Sequence, residues 1–148
     1  PIQTVIAGTK AGVDKACELL KAAGAKRALP LPVSAPFHSS LMKPAAEKLR
    51  MALADVVLAV PQIPVLNNVD VAVQQDADAI RDALYRQAFG AVRWVECVQA
   101  LKGRGITHII ECGPGKVLAG LTKRIDPELV GAALFDPATL AETRELLA

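Results

Sequence analysis

The strongest constraint on the fold lies between residues 106 and 134. Ile106-Thr107-His108-Ile109-Ile110-Glu111-Cys112 is rich in β-branched residues and reads as a strand. Gly113-Pro114-Gly115 breaks it, and Lys116–Asp126 follows with Val117, Leu118, Leu121 and Ile125 at helical spacing. Val130–Leu134 is a second apolar run, and Asp136-Pro137 offers an N-cap and a first-turn proline for a last helix. Strand, helix and strand joined by short connections imply a right-handed crossover that lays the strands parallel. The expected class is therefore α/β.

At 148 residues the chain has the length of one ordinary domain, and its 52% hydrophobic content suits a packed core. Only 3% is aromatic, so that core must come from Ala, Val, Leu and Ile. A net charge of +2 and the lack of an aromatic-basic stripe argue against nucleic acid as a partner. Cys17, Cys97 and Cys112 are odd in number and widely spaced, with no CxxC metal pattern and no closed disulfide framework. Thiols of this kind point to a reducing, cytoplasmic setting. No apolar run nears the ~20 residues of a membrane span. The chain opens on Pro1-Ile2-Gln3 with no leader pattern, as though from the middle of a longer protein.

The first thirty residues predict a small β-α-β unit. Gln3–Gly8 is β-rich, Thr9 can cap a helix over Lys10–Ala23 with Gly24 after it, and Lys26–Pro30 reads as a second strand. Such a unit cannot bury its own face alone. Further on, Ala45–Val57 predicts an amphipathic helix with Leu49, Leu53 and Val56 inward, Pro44 being tolerable only in its first turn. Pro61–Asn68 reads as loop and strand. Asp76 caps a helix to Ala88, ended by Gly90, and Ala91–Lys102 predicts another with Val92, Val95, Val98 and Leu101 inward.

Between these halves, Pro30, Pro32 and Pro36 enforce an extended connector that presents His38, with Phe37 before it and Ser39-Ser40 after. Imidazole suits proton transfer near neutrality, although a histidine beside a phenylalanine is more often an ordinary packed or surface residue than a catalyst. Neighbouring residues rarely aim a hydroxyl at the adjacent ring, and no GxSxG elbow occurs, so helix capping accounts better for both serines. Gly113-Pro114-Gly115-Lys116 lies where α/β sheets bind anions, but it matches neither GxxxxGK[ST] nor GxGxxG and reads as a turn. Cys97 reads as a core thiol, and Asn67-Asn68 as caps on backbone groups.

Taken together, LPVSAPFHSSLMKPAAEKL, PVLNNVD, DAIRDALYRQ, VRWVECV and IIECGPGKVLAGLTKRI resemble, in order, the C-terminal part of the bacterial malonyl-CoA:acyl carrier protein transacylases. The resemblance implies an α/β-hydrolase-like large domain from residue 32 onward and, in residues 1–31, the second half of a ferredoxin-like small subdomain. It implies ping-pong transfer of malonyl from malonyl-CoA to the phosphopantetheine thiol of acyl carrier protein in fatty acid synthesis, without cofactor or metal. His38 matches the catalytic histidine, Gln87 the residue whose main-chain carbonyl orients it, and Phe37 a pocket residue associated with malonyl preference. Lys26 and Arg27 stand where basic residues would meet an acidic carrier, or are solvated charges. The GHSLG serine elbow of this family is absent from the 148 residues. A complementary N-terminal segment or chain is therefore expected to hold the nucleophile, and these residues alone are expected to be inactive. The alternatives are a fragment that only binds the carrier and an acyltransferase domain of a polyketide synthase.

Overall fold

In the computed structural model, residues 3–148 are described. They divide into two units, one running up to Arg93 and one comprising Trp94–Ala148.

The second unit carries the predicted crossover. Helix α4 (Trp94–Gly103) precedes strand β3 (His108–Cys112), helix α5 (Val117–Ile125), strand β4 (Val130–Leu134) and helix α6 (Pro137–Leu146); the first three helices of the chain lie in the other unit. Strands β3 and β4 pair parallel in a register running from His108 opposite Val130 to Cys112 opposite Leu134. Helix α5 lies against both strands. Gly131 permits this: a Cβ there would stand 2.5 Å from the Ala119 carbonyl oxygen and 3.2 Å from Thr122 Cβ. The buried residue of α5 is Thr122, whose Oγ1 donates to the Leu118 carbonyl at 3.0 Å. Val117 and Leu118, expected inward, are exposed. The close approach at Gly131 turns the Ala119–Thr122 edge of the helix to the sheet instead. Asp136 caps α6 in a reciprocal box with Thr139, and the amide bonds it accepts there hold its carboxyl below the usual carboxylate range. Helix α4 starts at Trp94 rather than Ala91, and Cys97 and Val98 are its buried residues.

The first unit is held by helices and one hairpin. Helix α1 (Lys10–Ala22) is capped by Thr9 as predicted and buries no residue. A 3-10 turn (Ser40–Met42) leads into α2 (Lys43–Ala54), which takes Pro44 into its first turn. Strands β1 (Leu66–Asn67) and β2 (Ala72–Val73) form a short antiparallel hairpin, and α3 (Ala77–Gln87) follows, capped by Asp76. Helices α2 and α3 pack together, their buried residues being Ala46 and Ala83. Leu49 and Val56, expected inward, are exposed.

Two predicted strands are corrected. Neither Gln3–Gly8 nor Lys26–Pro30 is in a strand, and Val5, Ile6 and Leu29 are exposed. A strand exists only as a member of a ladder, and among the described residues none pairs with either segment. The predicted helix over Ala91–Lys102 also loses its first turn, because the Arg93 amide donates to the Asn68 carbonyl at 2.9 Å.

Candidate active site

The arrangement around His38 begins with its backbone. His38 has φ 60°, in the left-handed region that is uncommon for residues other than glycine. The Ser39 hydroxyl donates to the Pro36 carbonyl at 2.7 Å and closes the turn that contains His38. Ser39 therefore does not cap the following 3-10 turn with its side chain, contrary to the sequence expectation.

The ring is fixed through one nitrogen. His38 Nδ1 lies 3.1 Å from the Gln87 carbonyl oxygen and 3.2 Å from the Gly90 carbonyl oxygen. Carbonyl oxygens only accept, so Nδ1 carries the hydrogen and, in the neutral ring, Nε2 keeps a free lone pair. His38 is exposed. That combination is what a general base needs: a fixed tautomer and an accessible acceptor.

Both carbonyls are available because of how α3 ends. The last carbonyls of any helix lack intrahelical donors. Here the Gly90 and Phe89 amides both turn back to the Arg86 carbonyl, at 2.8 Å and 3.3 Å, leaving Gln87 and Gly90 to face the imidazole. A Cβ on residue 90 would stand 2.6 Å from Val69 Cγ2 and 2.9 Å from that Arg86 oxygen, so this turn requires glycine.

Polar contacts tie the same helix to its neighbours. Arg86 grips Asp70 with both Nη1 and Nη2, and Asp82 with Nε at 2.7 Å. The guanidinium holds the Asp70 carboxyl below the ordinary carboxylate range, and Asp70 in turn raises the arginine. Asn67 Oδ1 accepts the Asp70 amide at 2.8 Å and its Nδ2 donates to the Ala72 carbonyl at 2.9 Å, the local capping role the sequence suggests. Tyr85 donates its hydroxyl to Glu47 of α2 at 2.5 Å, which lowers the glutamate and raises the phenol. Arg81 donates to the Leu53 and Val56 carbonyls at 3.1 Å and 2.8 Å, finishing the end of α2.

In the other unit, the turn after β3 is no anion site. The Glu111 carboxylate itself accepts the Ala119 amide at 2.9 Å, so a protein side chain fills the start of α5.

No family model matches the chain. Individual proteins do. The malonyl CoA-acyl carrier protein transacylase of Salmonella typhimurium is 55% identical over 141 residues, which make up 95% of this chain and 46% of that protein. Its namesake from Escherichia coli K12 is 53% identical over 99% of this chain and 47% of its own length. The crystal structure of an acyl-carrier-protein S-malonyltransferase from Burkholderia pseudomallei superposes with a TM-score of 0.89 at 68% identity, covering 93% of this chain and 45% of that one. A malonyl-transacylase solved in complex with a type II polyketide synthase acyl carrier protein gives 0.91 at 51% identity, over 94% and 45%. Over that length, the chain is similar to the malonyl-CoA:acyl carrier protein transacylases. It spans about half the length of the curated relatives it matches.

Of the residues that the transacylase pattern singles out, the structure brings His38 and Gln87 together across 49 positions of chain. Phe37 is 49% exposed beside the histidine. Lys26 and Arg27 are exposed on the irregular segment after α1. The sequence does not point to Gly90 as a second acceptor, or to the grip of Arg86 on Asp70. Gly90 is legible only as a helix stop, and Asp70 and Arg86 as two of many charges. Among the described residues, no helix is long and apolar enough to cross a membrane.

Proposed function

We propose that this chain is part of a transacylase that moves malonyl from malonyl-CoA to the phosphopantetheine thiol of acyl carrier protein, in the cytoplasm and in fatty acid synthesis. The observation that carries this reading is the His38 ring, pinned at Nδ1 by the Gln87 and Gly90 carbonyls with Nε2 open. A serine outside these residues attacks the malonyl thioester carbonyl and its proton passes to Nε2. The C–S bond then breaks and the CoA thiolate leaves with that proton. In the second half-reaction the carrier thiol gives its proton to Nε2 and attacks the seryl ester, and the serine oxygen recovers the proton as it leaves. Backbone carbonyls do for the imidazole what a carboxylate does in hydrolytic triads, holding tautomer and direction. Phe37 lines the acyl side of this site.

In the same proposal, residues 1–31 belong to a ferredoxin-like small subdomain and residues 32–148 to an α/β-hydrolase-like large domain. The solved complex with a type II polyketide carrier supports a second choice of acceptor, a polyketide rather than a fatty-acid carrier.

In a full-length transacylase carrying this sequence, His38→Ala should lower transfer by about two to four orders of magnitude. The 148-residue chain alone should gain no malonyl adduct by intact mass after exposure to malonyl-CoA. Near-normal turnover in the variant, or a stable adduct on Ser39, Ser40 or Cys97, would remove this mechanism. Lys26 and Arg27, exposed and basic, steer the acidic carrier. Neutralising both should slow transfer to carrier and flatten its salt dependence, while seryl-ester formation from malonyl-CoA stays close to normal; equal loss in both steps contradicts steering.

A further inference from the structure

The two carbonyls that pin His38 belong to one turn, residues 87–90, and this turn does not stand by itself. Three consecutive positions of the β1–β2 hairpin loop meet it or the chain that leaves it. The Asn68 carbonyl accepts the Arg93 amide at 2.9 Å, just past the turn. Val69 sits against Gly90 so closely that a Cβ there would come within 2.6 Å of Val69 Cγ2. Asp70 takes two N–H groups of Arg86, the residue before Gln87, and its own carbonyl accepts Arg93 Nη1 at 3.3 Å. Next in line, Val71 has φ 59°, a conformation that a β-branched residue adopts only when its surroundings impose it.

From this juxtaposition we infer that Asp70 is a positioning residue for His38, acting through Arg86 to hold the Gln87 and Gly90 carbonyls on Nδ1. The inference rests on the reading of His38 as the base. Arg86 is suited to the task because its planar fork fixes direction as well as distance, while its main-chain oxygen collects the Phe89 and Gly90 amides that shape the turn. Asp70 is suited because it is itself held: its amide donates to Asn67 Oδ1 and its Oδ2 accepts Gln74 Nε2 at 3.2 Å. The hairpin thus transmits its geometry to a ring it does not touch. Loosening the grip lets the turn and both its carbonyls drift off Nδ1, and the preference for hydrogen on Nδ1 over Nε2 goes with them. A ring with hydrogen on Nε2 cannot accept a proton there.

The test uses a full-length transacylase carrying this sequence, labelled with 15N in histidine, the His38 signals being assigned by their loss in His38→Ala. In the parent protein, neutral His38 should be a single tautomer with hydrogen on Nδ1. Asp70→Asn keeps the size and removes the charge; His38 should become a mixture of tautomers, and kcat should fall about tenfold in both half-reactions with KM for malonyl-CoA unchanged. Arg86→Lys keeps the charge and removes the fork, and it should act in the same direction, carrying the test if Asp70→Asn does not fold. A single Nδ1–H tautomer with undiminished kcat in either folded variant overturns the inference. So does a fall in kcat with the tautomer unchanged, which would place the loss elsewhere. Mixed tautomers at full kcat would support the positioning and overturn the reading of His38 as base.

Discussion

Gly131 and Gly90 are both places where a side chain will not fit, and they differ in what closes around them. At Gly131 a helix crosses the strand that comes after it: Ala119 and Thr122 of α5 close on β4, and the whole arrangement is one uninterrupted strand–helix–strand. At Gly90 the surroundings are a hairpin side chain and a turn of helix end, and the product is a pair of carbonyls aimed at a histidine 49 and 52 positions earlier. The first close approach serves packing between neighbours in sequence. The second serves the direction of a single ring, and it is made by side chains bonded to distant backbone. A fold can carry both without either depending on the other's chemistry.

Substitution should separate them. In a full-length transacylase, Gly90→Ala must displace either Val69 or the Arg86 carbonyl, and an ångström of misplacement at the ring is enough for about a hundredfold loss of transfer. Thermal stability should fall far less than activity; a variant that melts early but transfers normally when folded would erase the distinction. Gly131→Ala should do the reverse, destabilising by about 1–3 kcal/mol through overpacking against the Ala119 carbonyl, with specific activity retained below the melting temperature. A loss of activity in well-folded Gly131→Ala would show that the crossover also sets the site.

The smallest effect concerns acid. The Arg86 guanidinium beside Asp70 lowers that carboxyl in the folded chain, so the stability it contributes is present above the ordinary aspartate value of about 3.9 and drains away as pH falls through the depressed one. The melting temperatures of the parent and of Asp70→Asn should therefore converge as pH drops below about 4. A gap that stays constant down to the lowest pH would mean that the ion pair contributes nothing through charge.

The same contrast explains what could be read from the sequence. The crossover from Ile106 to Leu134 is legible because periodicity, glycines and capping residues lie in one local stretch, and the Thr9, Asp76 and Asp136 caps are legible for the same reason. Its helix phase was less so: Thr122, not Val117, faces inward, because a glycine on the strand rather than hydropathy on the helix decides the contact. The strands expected at Gln3–Gly8 and Lys26–Pro30 fail since ladder partners are not a local property. Around His38, the SAPFH and YRQ segments are recognisable as pieces, and their pattern leads to Gln87. The left-handed backbone of His38, the second acceptor on Gly90 and the Asp70–Arg86 grip depend on which distant groups meet, and no spacing along the chain encodes that.

Among the described residues, the histidine and the groups bonded around it lie in one contiguous run, from the Pro36 carbonyl that accepts the Ser39 hydroxyl to the Arg93 amide on Asn68. That has a consequence for how such a site is inherited. A crossover between two related genes at the boundary of residues 93 and 94 passes on the ring, its two acceptors and the hairpin as a single heritable block. A crossover between residues 42 and 66 parts the ring from all of them at once. Chimeras joined at the first seam should keep the ring's orientation whichever parent supplies the remainder, and those joined at the second should keep it only when the parents share the turn at Gln87–Gly90.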